Sequence, residues 1–234
     1  VYRCYSIASL YNLAYHANDP VIRKRAEMML DVHWLIYALH MVDSQLGGAM
    51  NRFKPHYARY HHDRGLGSYY FGGPGGGFHA TEVALYTDYV PPQIAYDLLA
   101  NPEKRGCFTY KERLTQFSPE TGQPPYTYKY SYTTPEYVLG SYIDLTKGPG
   151  RYHERAFNGI TFGKARVMLR LGPGVSFQSY HCMQNGPILL CRWYGRELVG
   201  TDSPWGKRVG EQQPYASIIS REGGGASVEP AVFE

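Results

Sequence analysis

Met28, Met29, Leu30, Val32, Trp34, Leu35, Ile36, Ala38, Leu39, Met41 and Val42 fall on nearly every side of a helix drawn through them. An ordinary surface helix carries one apolar stripe, so a helix apolar all round has to be enclosed by protein or lipid. Asp31, His33, His40 and Asp43 interrupt the run. It is also shorter than the about 20 apolar residues that a transmembrane helix needs. The stretch therefore predicts an interior helix of a larger helical assembly, and no membrane span. It breaks at Gly47-Gly48 and releases a polar, aromatic, histidine-rich loop from Asn51 to Tyr70. That loop is expected to line an active site.

A chain of 234 residues can bury a sizeable core and hold one large or two small domains. The net charge of +4 comes without a Lys/Arg run or a nucleic-acid motif, which argues against a nucleic-acid partner. The outlying count is 23 Tyr. Tyrosine joins a flat apolar ring to a polar tip, which suits wet, partly buried surfaces such as carbohydrate grooves; a Tyr-rich sheet surface is the alternative. The sequence opens on Val1-Tyr2-Arg3 already in helical pattern and stops at Val232-Phe233-Glu234 without a cap, so it reads as a piece of a longer protein.

Tyr2 to Ala17 reads as a first helix. Asp19 can cap a second, and Pro20 fits its first position, so helix two is expected from Pro20 to Ser44 as the antiparallel neighbour of helix one. Ile22, Ala26, Met29, His33, Ile36 and His40 share one face of it. His33 and His40 are then two turns apart and read as core histidines bonded to backbone or water. Asn51–Gly77 reads as loop. Its FGGPGGG lacks both a preceding strand and a Lys-Ser/Thr pair, which excludes a phosphate loop and leaves a flexible lid or turn. A third helix is expected from Thr81 to Pro91-Pro92, and a short one from Pro92 to Ala100.

Beyond Arg105 the pattern changes. Cys107–Leu114, Tyr126–Tyr132, Gly159–Leu171, Val175–Met183 and Ile188–Tyr194 are short, rich in aromatic or β-branched residues, and parted by Gly/Pro turns. Arg221–Ser227 reads as loose. Cys182 and Cys191 flank a turn at Asn185-Gly186, a register that sets Cys182 opposite Leu189 and Cys191 on the diagonal. A diagonal pair is normally too far apart to bridge, so buried thiols are expected. The layout is α+β: helices in residues 1–105, with an active-site loop at 47–77, then an incomplete antiparallel sheet domain in 106–234.

The hairpin Tyr2–Ser44, GGAMNRF at Gly47–Phe53, YTTPEYVLGS at Tyr132–Ser141 and SFQSYHCMQNGPILLCRW at Ser176–Trp193 together resemble the polysaccharide lyases of the heparinase II/III and alginate-lyase type. The resemblance implies helical hairpins of an (α/α) toroid followed by an antiparallel β-sheet or β-sandwich domain. A full toroid needs more hairpins than this chain holds, so the implied part is a partial one. It also implies cleavage of a uronic-acid polymer by β-elimination, in which a base removes the C5 proton and an acid protonates the leaving oxygen. Such a protein would be periplasmic or extracellular.

That chemistry needs Asn, His or Arg donors to neutralise the substrate carboxylate, and a Tyr whose phenolate is favoured by nearby cations. Asn51 and Arg52 are the candidates for gripping the carboxylate, Tyr57 and His61 for proton transfer, with Tyr137 as a fallback proton carrier. His56 and Tyr60 are candidate substrate contacts. Tyr126, Tyr128, Tyr130 and Tyr132 alternate and so share one strand face, as a sugar-stacking platform or a cross-strand aromatic ladder. Tyr132 to Tyr137, carrying Pro135, is expected to turn back toward the helices. A solvated aromatic loop packing on the next helix is the plain alternative for Asn51–Arg64.

No organic cofactor is implied. His56, His61 and His62 make a poor metal set, and His181 could hold a structural ion in the sheet. The expected partner is a polysaccharide or oligosaccharide, with no oligomeric state implied. Two rival classes are a glycoside hydrolase using Glu82, Asp88 and Glu136, and a non-catalytic carbohydrate-binding or assembly module.

Overall fold

The computed structural model describes residues 3–42, 45–49, 66–72, 84–115, 126–144, 158–162, 165–171, 180–193, 214–222 and 225–231. The chain divides into two compact units, Val1–Leu46 with Tyr60–Gly106, and Gly47–Arg59 with Cys107–Glu234. The first is helical and the second is antiparallel sheet, an α+β arrangement.

In the helical unit, α1 (Arg3–His16) and α2 (Pro20–Leu39) pack as a hairpin. Asp19 starts α2 by accepting the Val21 N–H at 2.7 Å, with Pro20 at the first helical position, where its missing N–H costs nothing. The buried residues of α2 are Ala26, Leu30, Trp34, Tyr37 and Ala38. This stripe is rotated from the expected one: Ile22 and Met29 are exposed. Rotation brings the largest apolar surfaces, Trp34 and Tyr37, inward together with their polar tips. Enclosure is accordingly one-sided, and Met28, Met29 and Val32 are 55–58% exposed despite the all-round apolarity.

Helix α2 also stops at Leu39 rather than Ser44. His40 Nδ1 donates to the Ile36 carbonyl at 2.7 Å, and Arg105 Nη1 donates to the carbonyls of Ala38 (3.2 Å) and Met41 (2.8 Å). A cation on the terminal carbonyls satisfies acceptors that helix termination leaves unpaired. The chain then forms a small antiparallel pair, β1 (Met41–Val42) with β2 (Gln45–Leu46). Within the stretch read as loop, Leu66–Phe71 is a short helix, α3, with Leu66 fully buried in the core. Of the expected third helix, Ala84 and Leu85 are helical, and residues 81–83 lie outside the described ones. Pro92 opens α4 (Gln93–Ala100) as expected, and Pro102–Arg105 adds a last turn, α5.

The sheet unit contains β3 (Phe108–Thr115), β4 (Tyr126–Thr133), β5 (Tyr137–Asp144), β6 (Asn158–Phe162), β7 (Ala165–Leu171), β10 (Pro214–Glu222) and β11 (Gly225–Ala231), ordered β11-β10-β7-β6-β5-β4-β3. The expected strand Gly159–Leu171 is two strands, β6 and β7. Tyr132–Tyr137 spans the tight link of the β4–β5 hairpin. Thr134 Oγ1 accepts the N–H groups of Glu136 (3.1 Å) and Tyr137 (3.0 Å), and the Thr134 N–H donates to the Tyr137 carbonyl at 2.8 Å. A side-chain oxygen that takes up two turn amides makes reversal the favoured local path. Arg221–Ser227, read as loose, contributes to the β10–β11 hairpin, with Arg221 opposite Ala226.

A separate hairpin, β8 (Tyr180–Asn185) and β9 (Ile188–Trp193), packs against β5. Its two-residue loop is Gly186-Pro187, one position later than expected, because Asn185 faces Ile188. A loop at Asn185-Gly186 would make Pro187 the first ladder residue, and proline has no N–H to donate there. Gly186 at φ +53° followed by Pro187 fits the type II′ turn instead.

Candidate functional site

Three arrangements can be built from the side chains upward. The first is a backbone strap. Gly47, Gly48 and Ala49 run across the sheet face that carries Val138, Gly140 and Thr161. A Cβ built on Gly47 would meet Val138 Cβ at 2.6 Å and Thr161 Cβ at 3.3 Å. One built on Gly140 would clash with the Ala49 nitrogen and Gly48 carbonyl carbon and lie 2.6 Å from Gly48 Cα. Glycine on both sides of this contact lets two backbones touch where any side chain would separate them. Val138 and Thr161 beneath the strap are fully buried.

The second arrangement is the opposite face of β4. Its register sets Tyr126, Tyr128, Tyr130 and Tyr132 against Thr115, Arg113, Lys111 and Thr109 on β3, so the four share a face. On the β5 side Tyr128, Tyr130 and Tyr132 meet Ile143, Ser141 and Leu139. The direct cross-strand neighbours are therefore not aromatic. The aromatic contact of this group runs diagonally, Tyr132 to Tyr137 at 6.2 Å between ring centres. Tyr128 and Tyr132 are half-buried and Tyr130 is buried. The Tyr130 hydroxyl accepts the Gly186 N–H at 2.9 Å, and Gln184 Nε2 donates to the Leu139 carbonyl at 3.1 Å, so the β8–β9 hairpin is pinned to this face. Lys111 Nζ stands 5.3 Å from the centre of the Tyr130 ring.

Burial alone would raise the Tyr130 pKa. The Gly186 N–H, the Thr109 hydroxyl and the Lys111 charge outweigh it, and the hydroxyl titrates below the usual tyrosine value. Tyr132 shifts the other way, raised by its hydrogen bond with the Cys107 thiol and then by burial.

The third arrangement escaped the sequence reading altogether. In the helical core, Trp34 Nε1 donates to Tyr11 Oη at 3.0 Å, and Tyr11 donates to Tyr70 Oη at 3.0 Å. Tyr70 donates to the Tyr89 carbonyl at 3.3 Å, and Tyr89 Oη donates to Asp31 Oδ1 at 2.8 Å. Around this chain Trp34 makes edge-to-face contacts with Tyr37, Tyr70 and Phe71 at 5.1–5.5 Å. Burial raises all three tyrosine pKa values: Tyr70 is pushed up to about 12, Tyr11 and Tyr89 higher, the last also by its bond to Asp31. These hydroxyls hold their protons. The clue in the sequence was Trp34 itself, since a buried indole N–H needs an acceptor.

Of the expected site residues, Asn51, Arg52, His56, Tyr57, Tyr60 and His61 lie outside the described residues. The side chain of Tyr126 does too, as does that of His181. Glu82 lies outside as well, while Asp88 and Glu136 are exposed and belong to different units. Among the described residues, no three His, Cys, Asp or Glu side chains gather as a metal site, and no helix is long and apolar enough to cross a membrane. Comparison with known proteins finds no family model, curated relative or solved structure that matches this chain.

Proposed function

We propose that this chain is part of a polysaccharide lyase: a partial (α/α) toroid joined to an antiparallel sheet or sandwich, acting by β-elimination on an acidic, uronate-containing polymer. The observation that carries the reading is the strap. Two of the four stretches behind the family resemblance, Gly47–Phe53 and Tyr132–Ser141, meet where Gly48 and Ala49 touch Gly140. Ala49 is thus held on the sheet two residues before Asn51, the first candidate for the substrate carboxylate. A firm anchor just before a recognition segment is what positioning chemistry requires.

In this reading Asn51 and Arg52 neutralise the carboxylate, which makes the C5 proton acidic enough to remove. Tyr57 and His61 transfer protons as base and acid, with Tyr137 in reserve. His56, Tyr60, Tyr126 and the exposed parts of Tyr128 and Tyr132 contact sugar, and Tyr130 backs them. No organic cofactor takes part.

The test is to incubate the protein with uronate polymers and follow the ultraviolet absorbance of the unsaturated product. Absorbance that grows with wild type and vanishes in Tyr57→Phe and His61→Ala, both retaining wild-type circular dichroism, is the expected result. Wild-type rates in both variants would remove these residues from the mechanism. New reducing ends without absorbance would make the protein a hydrolase, and binding without turnover a carbohydrate-binding module.

A further inference from the structure

We propose that Cys182 and Cys191 form a reversible cross-strand disulfide, a redox modification site on the β8–β9 hairpin. The Gly186-Pro187 loop puts the two cysteines directly opposite each other, with their sulfurs 2.9 Å apart. Both stand as reduced thiols. In a hairpin with a two-residue loop the flanking pair, Asn185 and Ile188, exchanges both ladder bonds, and pairs alternate outward from it. Cys182–Cys191 is then a non-hydrogen-bonded pair, whose Cα atoms lie about 4.5 Å apart. That is inside the range of about 4.4–6.8 Å that a disulfide spans.

Geometry favours a bridge over a shared metal ion. Two thiolates on one tetrahedral zinc, with Zn–S about 2.3 Å, stand about 3.8 Å apart, wider than this pair. An S–S bond of about 2.05 Å needs no further groups, whereas an ion needs two more ligands, and among the described residues no three His, Cys, Asp or Glu side chains gather as a metal site. The surroundings also assign the order of events. Cys182 is buried and Cys191 half-buried, so an external reagent meets Cys191 first. The contact with Cys182 lowers the Cys191 pKa against the opposing effect of burial, which raises its thiolate fraction.

The oxidant is a low-molecular-weight disulfide, RS–SR. The Cys191 thiolate attacks one of its sulfurs, forming a Cys191–SR mixed disulfide and expelling RS⁻. Cys182 loses its proton and attacks the Cys191 sulfur; the protein S–S bond forms and the second RS⁻ leaves. Two protein thiols are oxidised by two electrons, RS–SR is reduced to two RSH, and the two thiol protons end on them. The bridge lies on the hairpin side that carries Gln184 and so locks the strand pair that presents Gly186 to Tyr130.

The experiment equilibrates the chain with oxidised and reduced glutathione, blocks remaining thiols with a maleimide, and maps the peptides by mass spectrometry. The expected product is a cross-linked peptide joining Cys182 and Cys191, while exposed Cys107 carries glutathione or maleimide. Cys182→Ala should instead accumulate a stable glutathione adduct at Cys191, and Cys191→Ala should leave Cys182 unmodified. Maleimide on both Cys182 and Cys191 of wild type, under conditions that fully modify Cys107, would overturn the proposal. So would a bridge from either of them to Cys4 or Cys107.

Discussion

Tyr11→Phe removes one oxygen from the centre of the helical core and leaves the ring in place. Tyr11 and Trp34 are both fully buried, and the Tyr11 hydroxyl accepts the Trp34 N–H at 3.0 Å. An indole nitrogen can only donate, so after the substitution its N–H has lost this acceptor in a place water does not reach. Stranding a buried donor costs about 1–3 kcal/mol. The second bond lost, to Tyr70 at 3.0 Å, costs less, because Tyr70 is half-buried and still donates to the Tyr89 carbonyl. The sum is a loss of about 2–3 kcal/mol. Tyr70→Phe leaves the Trp34–Tyr11 bond intact but takes the acceptor from the buried Tyr11 O–H, and should also cost about 1–3 kcal/mol. Urea unfolding followed by Trp34 fluorescence, in a background where Trp193 and Trp205 are Phe, reads the helical unit alone. A Tyr11→Phe variant within about 0.5 kcal/mol of its parent, the usual range for inert surface changes, would refute the argument.

Gly140→Ala drives a methyl into the backbone of Gly48 and Ala49, and should destabilise the sheet unit by about 3 kcal/mol or more, seen as faster limited proteolysis near residue 48. Arg105→Met keeps the apolar stem but takes the cation from the Ala38 and Met41 carbonyls, with an expected loss of about 1–3 kcal/mol in thermal unfolding of the helical unit. Above neutrality, Tyr11, Tyr70 and Tyr89 keep protons that an unfolded tyrosine releases near its value of 10.0. Their contribution is therefore complete below the unfolded value and declines as pH climbs through the Tyr70 value of about 12. Urea midpoints of the helical unit that stay flat or rise across that window would contradict the sign.

Signals confined to a few neighbouring residues were readable. Asp19-Pro20 marked the start of α2, Pro92 the start of α4, and the alternation of Tyr126 to Tyr132 one strand with one shared face. What the sequence hid depended on partners far along the chain. The end of α2 is set by Arg105, 64 positions beyond the Met41 carbonyl it holds. The covering of Tyr130 comes from Gly186, 56 positions away. No periodicity encodes such pairings. One error was more local: Pro187 forbids the Asn185-Gly186 loop for lack of an N–H. The Thr134 hydroxyl marks the β4–β5 reversal in the same local way. The catalytic candidates at 51–61 rest on residue chemistry and family resemblance.

The tyrosine count looked like one clue, yet among the described residues the core tyrosines and Tyr130 of the sheet are biased in opposite acid–base directions. In the helical core, Tyr11, Tyr70 and Tyr89 donate hydrogen bonds to a tyrosine oxygen, a carbonyl and Asp31 respectively, and burial biases each toward the neutral phenol. A base for C5 proton removal has to favour phenolate, and these residues are tuned against it. Tyr130 is tuned in the required direction by Gly186, Thr109 and Lys111, yet its ring is buried and its oxygen already holds the hairpin turn. A lowered tyrosine pKa therefore marks a structural hydroxyl here as readily as a catalytic one. Under the proposed elimination the base has to combine a cationic setting with access to substrate, and Tyr57 is the candidate whose sequence neighbours His56, Arg59 and His61 can carry positive charge.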